Sequence, residues 1–333
     1  MRVAEHRNSN KPTNPAPQVL RSGVTWRQVR QLPFIFALTL LAIPVAAAPP
    51  LPPPIAPAPT IAEVEASAPA SAWRPVAPEN LMLVDTAKGT LTIELAPGFA
   101  AAHVAAIRKL VREGAFTGGA VVRVQDNYVV QFAAKTAVAT ANALGVTATA
   151  PILTAEYERP RASVPFTPLL YPDAYATQAG FSDGWPVGRD AASAWLVHCY
   201  GMVGAGRDLP PSTGDGSELY AVIGHAPRHL DRNMAVVGRV IDGIAPFAAL
   251  PRGTEALGFY KTEAEKLPIA GARLAADLPP GRRPAYEVMR TDTPTFSALI
   301  AARANRREPF FLRPSGGVDV CNVKIPVRLM VNH

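Results

Sequence analysis

From Leu81 onward the apolar residues of this chain fall mostly in short runs of alternating polarity, broken by glycine and proline, with no repeated strand–helix–strand alternation. That pattern disfavours a parallel sheet wound through crossover helices. It points to a mainly β fold whose antiparallel strands close on themselves, with helices as plugs. The clearest unit is residues 81–97, two alternating runs about a Lys88-Gly89 turn. Leu91, Ile93 and Leu95 point to one side and Thr90, Thr92 and Glu94 to the other, a hairpin with one buried face. Residues 99–113 place Val104, Ile107, Leu110 and Val111 at helical spacing, and Gly114 stops the helix. Residues 121–132 return to strand composition. Residues 133–194 show no sustained period and read as long loops holding at most a short helix or strand, a length that marks an insertion. Strand character resumes at 194–203, 219–223 and 234–241, followed by a short helix near 244–250. Farther on, 273–278 and 286–290 read as strands, 295–305 as a helix and 318–331 as a strand that Pro326 places at an edge or ends.

The amino end has a different character. Residues 1–31 carry Arg2, Arg7, Lys11, Arg21, Arg27 and Arg30 against Glu5 alone; residues 32–45 are apolar, and Ala46, Ala47 and Ala48 follow. Basic, apolar and small-residue segments in that order form a secretory signal, assigned here to residues 1–48. The apolar run is shorter than the roughly 20 residues of a spanning helix, and Pro33 and Pro44 interrupt it. Export to the periplasm with cleavage is therefore the expectation, and an uncleaved inner-membrane anchor the alternative. The Pro/Ala-rich residues 49–79 read as a semi-rigid spacer. The chain's formal charge of +7 belongs largely to the leader: residues 1–48 hold six of 33 Lys/Arg and one of 26 Asp/Glu, which leaves about +2. Nucleic acid is thereby excluded as an expected partner. Membrane contact is expected only through an uncleaved leader.

Cys199 and Cys321 are the chain's two cysteines. In an exported protein they either pair or stay two buried thiols, and the spacing decides neither. A bridge would close a loop of more than 120 residues, worth roughly 4–5 kcal/mol in the chain-entropy account. Cys199 beside His198 suggests thiol catalysis, but neighbours along a strand point to opposite faces. His225 and His229 flank an Ala-Pro-Arg turn and form no metal motif, so neither metal nor cofactor is expected.

The order of short motifs resembles the cyclophilin-type peptidyl-prolyl isomerases. The pieces are Leu83-Val84-Asp85-Thr86 through Ile93-Glu94-Leu95, the helix ending at Gly114, and Val122-Arg123-Val124 followed by Val129-Val130-Gln131. Then come Gly216-Ser217-Glu218-Leu219-Tyr220, Leu230-Asp231, and Val236-Val237-Gly238-Arg239-Val240. The resemblance implies a closed antiparallel eight-stranded barrel capped by two helices, spanning residues 80–255. Residues 256–333 look like an extension of a bacterial subgroup, with no role assigned. It also implies cis/trans isomerisation of X-Pro bonds in proline-containing polypeptides, assisting the folding of exported proteins. A non-catalytic scaffold that binds Pro-containing segments or a protein partner is the alternative.

That reaction needs no covalent step. Amide resonance sets a rotation barrier of roughly 18–20 kcal/mol, and a catalyst must prefer the twisted amide, whose nitrogen can accept a hydrogen bond. By resemblance Arg123 is the donor, Gln131 orients it or contacts the substrate backbone, and Tyr128, Val129, Glu218, Tyr220 and Leu230 bind substrate. The sequence departs from the family at several of these positions. Tyr128, Val129 and Tyr220 replace the usual Phe and Met, Glu218 the usual Gln, His229 the usual Trp and Met234 the usual His or Tyr, while Gly206 stands in the usual Met-Ala-Arg run.

Overall fold

The structure is a computed structural model that describes residues 59–138 and 152–330. The expected signal segment and residues 49–58 of the expected spacer lie outside the described residues. The first described elements are helix α1 (Ile61–Ala66) and strand β1 (Trp73–Pro75). Next come β2 (Leu81–Thr86), β3 (Gly89–Leu95), α2 (Ala101–Arg112), β4 (Ala120–Val124), β5 (Val129–Ala133) and α3 (Lys135–Val138). Five short strands follow: β6 (Arg159–Pro160), β7 (Thr167–Pro168), β8 (Gln178–Ser182), β9 (Trp185–Arg189) and β10 (Ser193–Leu196). The chain continues through β11 (Met202–Ala205), β12 (Glu218–Val222), β13 (Val236–Asp242) and α4 (Ile244–Ala248). It ends with β14 (Leu267–Leu274), β15 (Tyr286–Met289), α5 (Pro294–Ala304) and β16 (Val327–Leu329).

Eight strands close into an antiparallel barrel in the order β11-β12-β5-β4-β14-β2-β3-β13. Its interior is built by alternation. Leu91, Ile93 and Leu95 of β3 meet Met82 and Val84 of β2, Val130 and Phe132 of β5, and Leu219 and Ala221 of β12 in one buried cluster. Two helices plug this cluster, α2 through Val104, Ile107 and Val111 and α4 through Phe247. The barrel is the expected fold class.

Around the barrel four expectations change. Residues 133–194 were expected to be long loops, yet 159–196 form a five-stranded sheet, β6-β10-β9-β8-β7. Its central strands are covered on both faces, so their sequences carry no period of two. Gly188 marks the closeness of that packing: a Cβ there would lie 2.7 Å from the Trp195 indole nitrogen. The spacer expected over 49–79 is folded from residue 60 on. Thr60 and Glu63 form a capping box for α1, and β1 pairs with β15. Trp73, Val64 and Val76 supply the buried apolar surface that a Pro/Ala composition concealed.

The third change concerns the boundary expected at residue 255. Strand β14 lies beyond it and bridges β4 to β2, so the barrel closes only with a strand from the expected extension. Pro268 and a register shift between Ile269 and Gly271 hide that strand's alternation. The rest of the extension builds a second layer. Val288, Met289, Phe296 and Leu299 join Phe181, Trp185 and Leu196 of the five-stranded sheet against the outer faces of Leu81, Leu83, Met202 and Val236. The strand expected over 318–331 is confined to β16, because the Asp319 side chain accepts the Cys321 backbone N–H and turns the chain. Cys199 and Cys321 form a disulfide across 122 residues that ties the start of β11 to this layer. Glu94, 3 % exposed, pairs with Arg239 at 2.7 Å and Arg74 at 2.9 Å, and Arg239 also donates to the Gly184 carbonyl at 2.6 Å. The layer thus covers β2, β3 and β13 and does not reach the outer face of β4, β5 and β12, where α3 packs on Ala120, Val122 and Ala133.

Candidate active site

Cross-strand register on that outer face puts Arg123 of β4 opposite Gln131 of β5, Gln131 opposite Tyr220 of β12, and Tyr220 opposite Gly204 of β11. On β5 the inward residues are Val130 and Phe132, so Val129 and Gln131 point outward. The ladder between β4 and β5 shifts register between Val121 and Arg123, a bulge of the kind that re-aims a side chain.

Arg123 is held from three directions. Its Nε donates to the Leu257 carbonyl at 2.7 Å, one Nη donates to Gln131 Oε1 at 3.3 Å, and the other donates to Gln125 Oε1. The guanidinium lies 5.6 Å from the Tyr128 ring centroid and 5.3 Å from that of Phe259. Burial lowers its pKa, against the opposing pull of Tyr128 and Tyr220, but an arginine keeps its charge at neutral pH. Gln131 in turn donates from Nε2 to Glu218 Oε2 at 2.6 Å. A carboxylate only accepts, so this contact assigns the amide: NH2 toward Glu218 and oxygen toward Arg123. Burial raises the Glu218 carboxyl above its ordinary range; the Gln131 hydrogen bond opposes the rise, and Asp208 and Asp215 add to it. Glu218, expected among the substrate-binding residues, accepts this hydrogen bond and orients the Gln131 amide.

Tyr128, Val129, Tyr220 and Leu230 come together in one apolar cluster beside Arg123, joined by Val222 and Met234. Val129, Tyr220 and Val222 are buried at its base, and Tyr128, Leu230 and Met234 pack over them. Tyr128 stacks on His229 with planes 7° apart, and its Oη lies 3.3 Å from His229 Nε2. Burial raises the Tyr128 phenol's pKa, and Arg123 works against that rise.

Sequence reasoning missed five contributors, among them Gln125, two residues along the chain from Arg123 and an acceptor for its guanidinium. Val222 shares Tyr220's face two residues along β12 and pairs with Val129, so the period of two was its signal. Leu257 and Phe259 lie past the expected boundary, where no local pattern relates them to Arg123. The sequence relates His198 only to its neighbour Cys199; in the fold its ring faces Tyr220 while Cys199 bonds Cys321. Chemically the face offers one cation with a fixed guanidinium plane, a preset amide and an adjoining apolar surface. That combination serves binding and electrostatic stabilisation of a neutral, apolar-flanked amide.

Residues 81–268 match the family described as cyclophilin type peptidyl-prolyl cis-trans isomerase/CLD. Proteins described as probable peptidyl-prolyl cis-trans isomerases from Brucella suis biovar 1 and Brucella abortus are 44 % and 43 % identical over 54 residues. Those matches cover 16 % of this chain and 28 % of the Brucella proteins' length. Among solved structures, the cyclophilin AquaCyp293 from Hirschia baltica is 28 % identical with a TM-score of 0.63, covering 82 % of this chain and 98 % of that one. The similarity to AquaCyp293 therefore takes in more of the chain than the family match does.

Proposed function

Because the chain belongs to the cyclophilin-type peptidyl-prolyl cis-trans isomerase family, we propose that it catalyses cis/trans isomerisation of X-Pro bonds on the face formed by β4, β5 and β12. The observation that carries this reading is the row from Arg123 through Gln131 to Tyr220, set beside the cluster of Tyr128, Val129, Val222 and Leu230. Proline lies against the apolar cluster, and Arg123 donates to the amide nitrogen as it loses conjugation. The interaction is strongest in the twisted state, which is what lowers the barrier. Gln131, its amide oriented by Glu218, holds Arg123 in plane, and Leu257 and Gln125 prevent the guanidinium from swinging away. No cofactor is required.

The substrate class is proline-containing polypeptide. We place the protein outside the cytoplasm, acting on newly exported chains. The basic-apolar-small order of residues 1–48 supports this, and the Cys199–Cys321 disulfide suits an oxidising compartment. Measuring where the protein fractionates, and whether residues 1–48 remain attached, tests that placement.

NMR exchange on a panel of X-Pro peptides, with native protein and Arg123→Ala at equal concentration, tests the activity. The expected result is acceleration that falls about 100-fold in the variant, the usual effect of removing one stabilising donor. No acceleration by the folded native protein would refute catalysis and leave the barrel as a peptide-binding scaffold.

A further inference from the structure

The hydroxyl of Tyr220 serves no purpose in gripping a proline ring, yet it is fully engaged. Its Oη lies 2.9 Å from His198 Nε2, with the two rings 9° from parallel. On its other side His198 meets Asp231: Nδ1 is 2.9 Å from Oδ1, and the His198 backbone N–H donates to the same oxygen at 3.0 Å. Asp231 Oδ2 accepts from Arg228 Nε at 2.6 Å, and Arg228 forks onto Asp173 at 2.9 and 3.0 Å. His198, Arg228, Asp231 and Asp173 side chains are each 6 % exposed or less.

The direction of each proton follows from this chain of contacts. Asp231 accepts from Arg228 Nε and from the His198 backbone N–H, and the contact at Nδ1 is satisfied when His198 presents its N–H there. In that tautomer Nε2 carries a lone pair, and the Tyr220 phenol, 2.9 Å away, donates to it. Burial, the largest influence on that phenol, pushes its pKa far up, so it stays a donor. The backbone shows where this contact holds the ring. A Cβ on Gly204 would lie 2.2 Å from Tyr220 Oη and 2.3 Å from its Cζ, so the ring lies directly across β11.

We propose that His198 is a positioning residue for the prolyl site, holding Tyr220 over Gly204 through a tautomer set by Asp231 and so fixing one wall of the apolar cluster. The inference rests on the prolyl reading above. Asp231 follows Leu230 directly, so one carboxylate ties together the turn that carries Leu230 and, through His198, the wall made by Tyr220. The Asp173–Arg228 pair anchors this clamp to the inserted segment, which gives the insertion a part in shaping the site.

The test has two readouts. Imidazole 15N NMR of the native protein, with no peptide present, is expected to show a proton on Nδ1 and none on Nε2; a protonated Nε2 would overturn the assignment. Titration with an Ala-Pro peptide then compares Tyr220→Phe, His198→Ala, His198→Gln and the double variant Tyr220→Phe/His198→Ala. Each of Tyr220→Phe and His198→Ala is expected to weaken binding about three- to tenfold, the range that one buried hydrogen bond represents. The isomerisation rate at saturation should change less, because Arg123 is untouched. The double variant should be no worse than either single one, and His198→Gln, which offers an amide oxygen to the phenol, should recover part of the loss. Additive losses, or none, would overturn the positioning role. Native protein that neither binds nor isomerises the peptides would instead show that the prolyl reading itself has failed.

Discussion

Replacing Gly204 with alanine tests the packing of the site in a way that separates two signs. Gly204 has no positive φ, so its backbone accepts an alanine, and in open space the change would stabilise by about 0.4–1 kcal/mol through the unfolded chain. The space is not open: the new methyl would lie 2.2 Å from Tyr220 Oη, 2.3 Å from Cζ and 2.7 Å from Cε1. Two ring atoms and the hydroxyl of one rigid side chain are involved, so the whole ring must rotate off β11. Overpacking of this kind costs about 1–3 kcal/mol, and leaving His198 Nε2 buried without its phenol costs about 1–3 kcal/mol more. The unfolded-state gain does not offset these, and the expected net loss is about 2–4 kcal/mol. Urea unfolding of Gly204→Ala against native protein measures it, and Ala-Pro peptide titration should show weaker binding in parallel. A variant as stable as native, or more so, with unchanged peptide affinity would refute the tight seating of Tyr220.

Three other perturbations have expected outcomes. Burial raises the Glu218 carboxyl above its ordinary value, so just above that value the folded state holds a proton there that the unfolded chain has lost. This costs stability as pH rises from about 4.3 toward the raised folded value. Glu218→Gln should therefore gain on native protein above that window and not below it, while its amide oxygen still accepts from Gln131; a stability difference independent of pH refutes the burial. Glu94→Ala leaves Arg239 and Arg74 without their shared carboxylate and should cost about 3–5 kcal/mol in urea unfolding. Since the pair lies away from Arg123, activity per folded molecule should be retained. Cys321→Ser opens a 122-residue loop and should cost up to about 4–5 kcal/mol. Reductant should lower native stability toward that of the variant, and native stability indifferent to reductant would contradict the bridge.

Most barrel strands and the Arg123–Gln131 hairpin were legible because their signals are local. Alternation along residues 89–95 and 129–133 divides inward from outward residues, and helical spacing over 101–112 identifies a plug, without knowledge of any partner. Arg123, Gln131, Tyr128 and Val129 lie within nine residues on one hairpin, so a strand pattern and a familiar motif order sufficed to nominate them. The five-stranded sheet was hidden because strands covered on both faces lose the period that announces them. Strand β14 was hidden because its closing role depends on where β4 and β2 end in space.

The division is physical. Neighbours along the chain settle secondary structure through backbone geometry and the alternation of apolar side chains, and those the residues dictate on their own. What holds Arg123 in place and what Tyr220 donates to depend on residues 134 and 22 positions away. Such pairings follow from the closure of the barrel, which brings Leu257 and His198 to fixed distances from partners that no local pattern links to them.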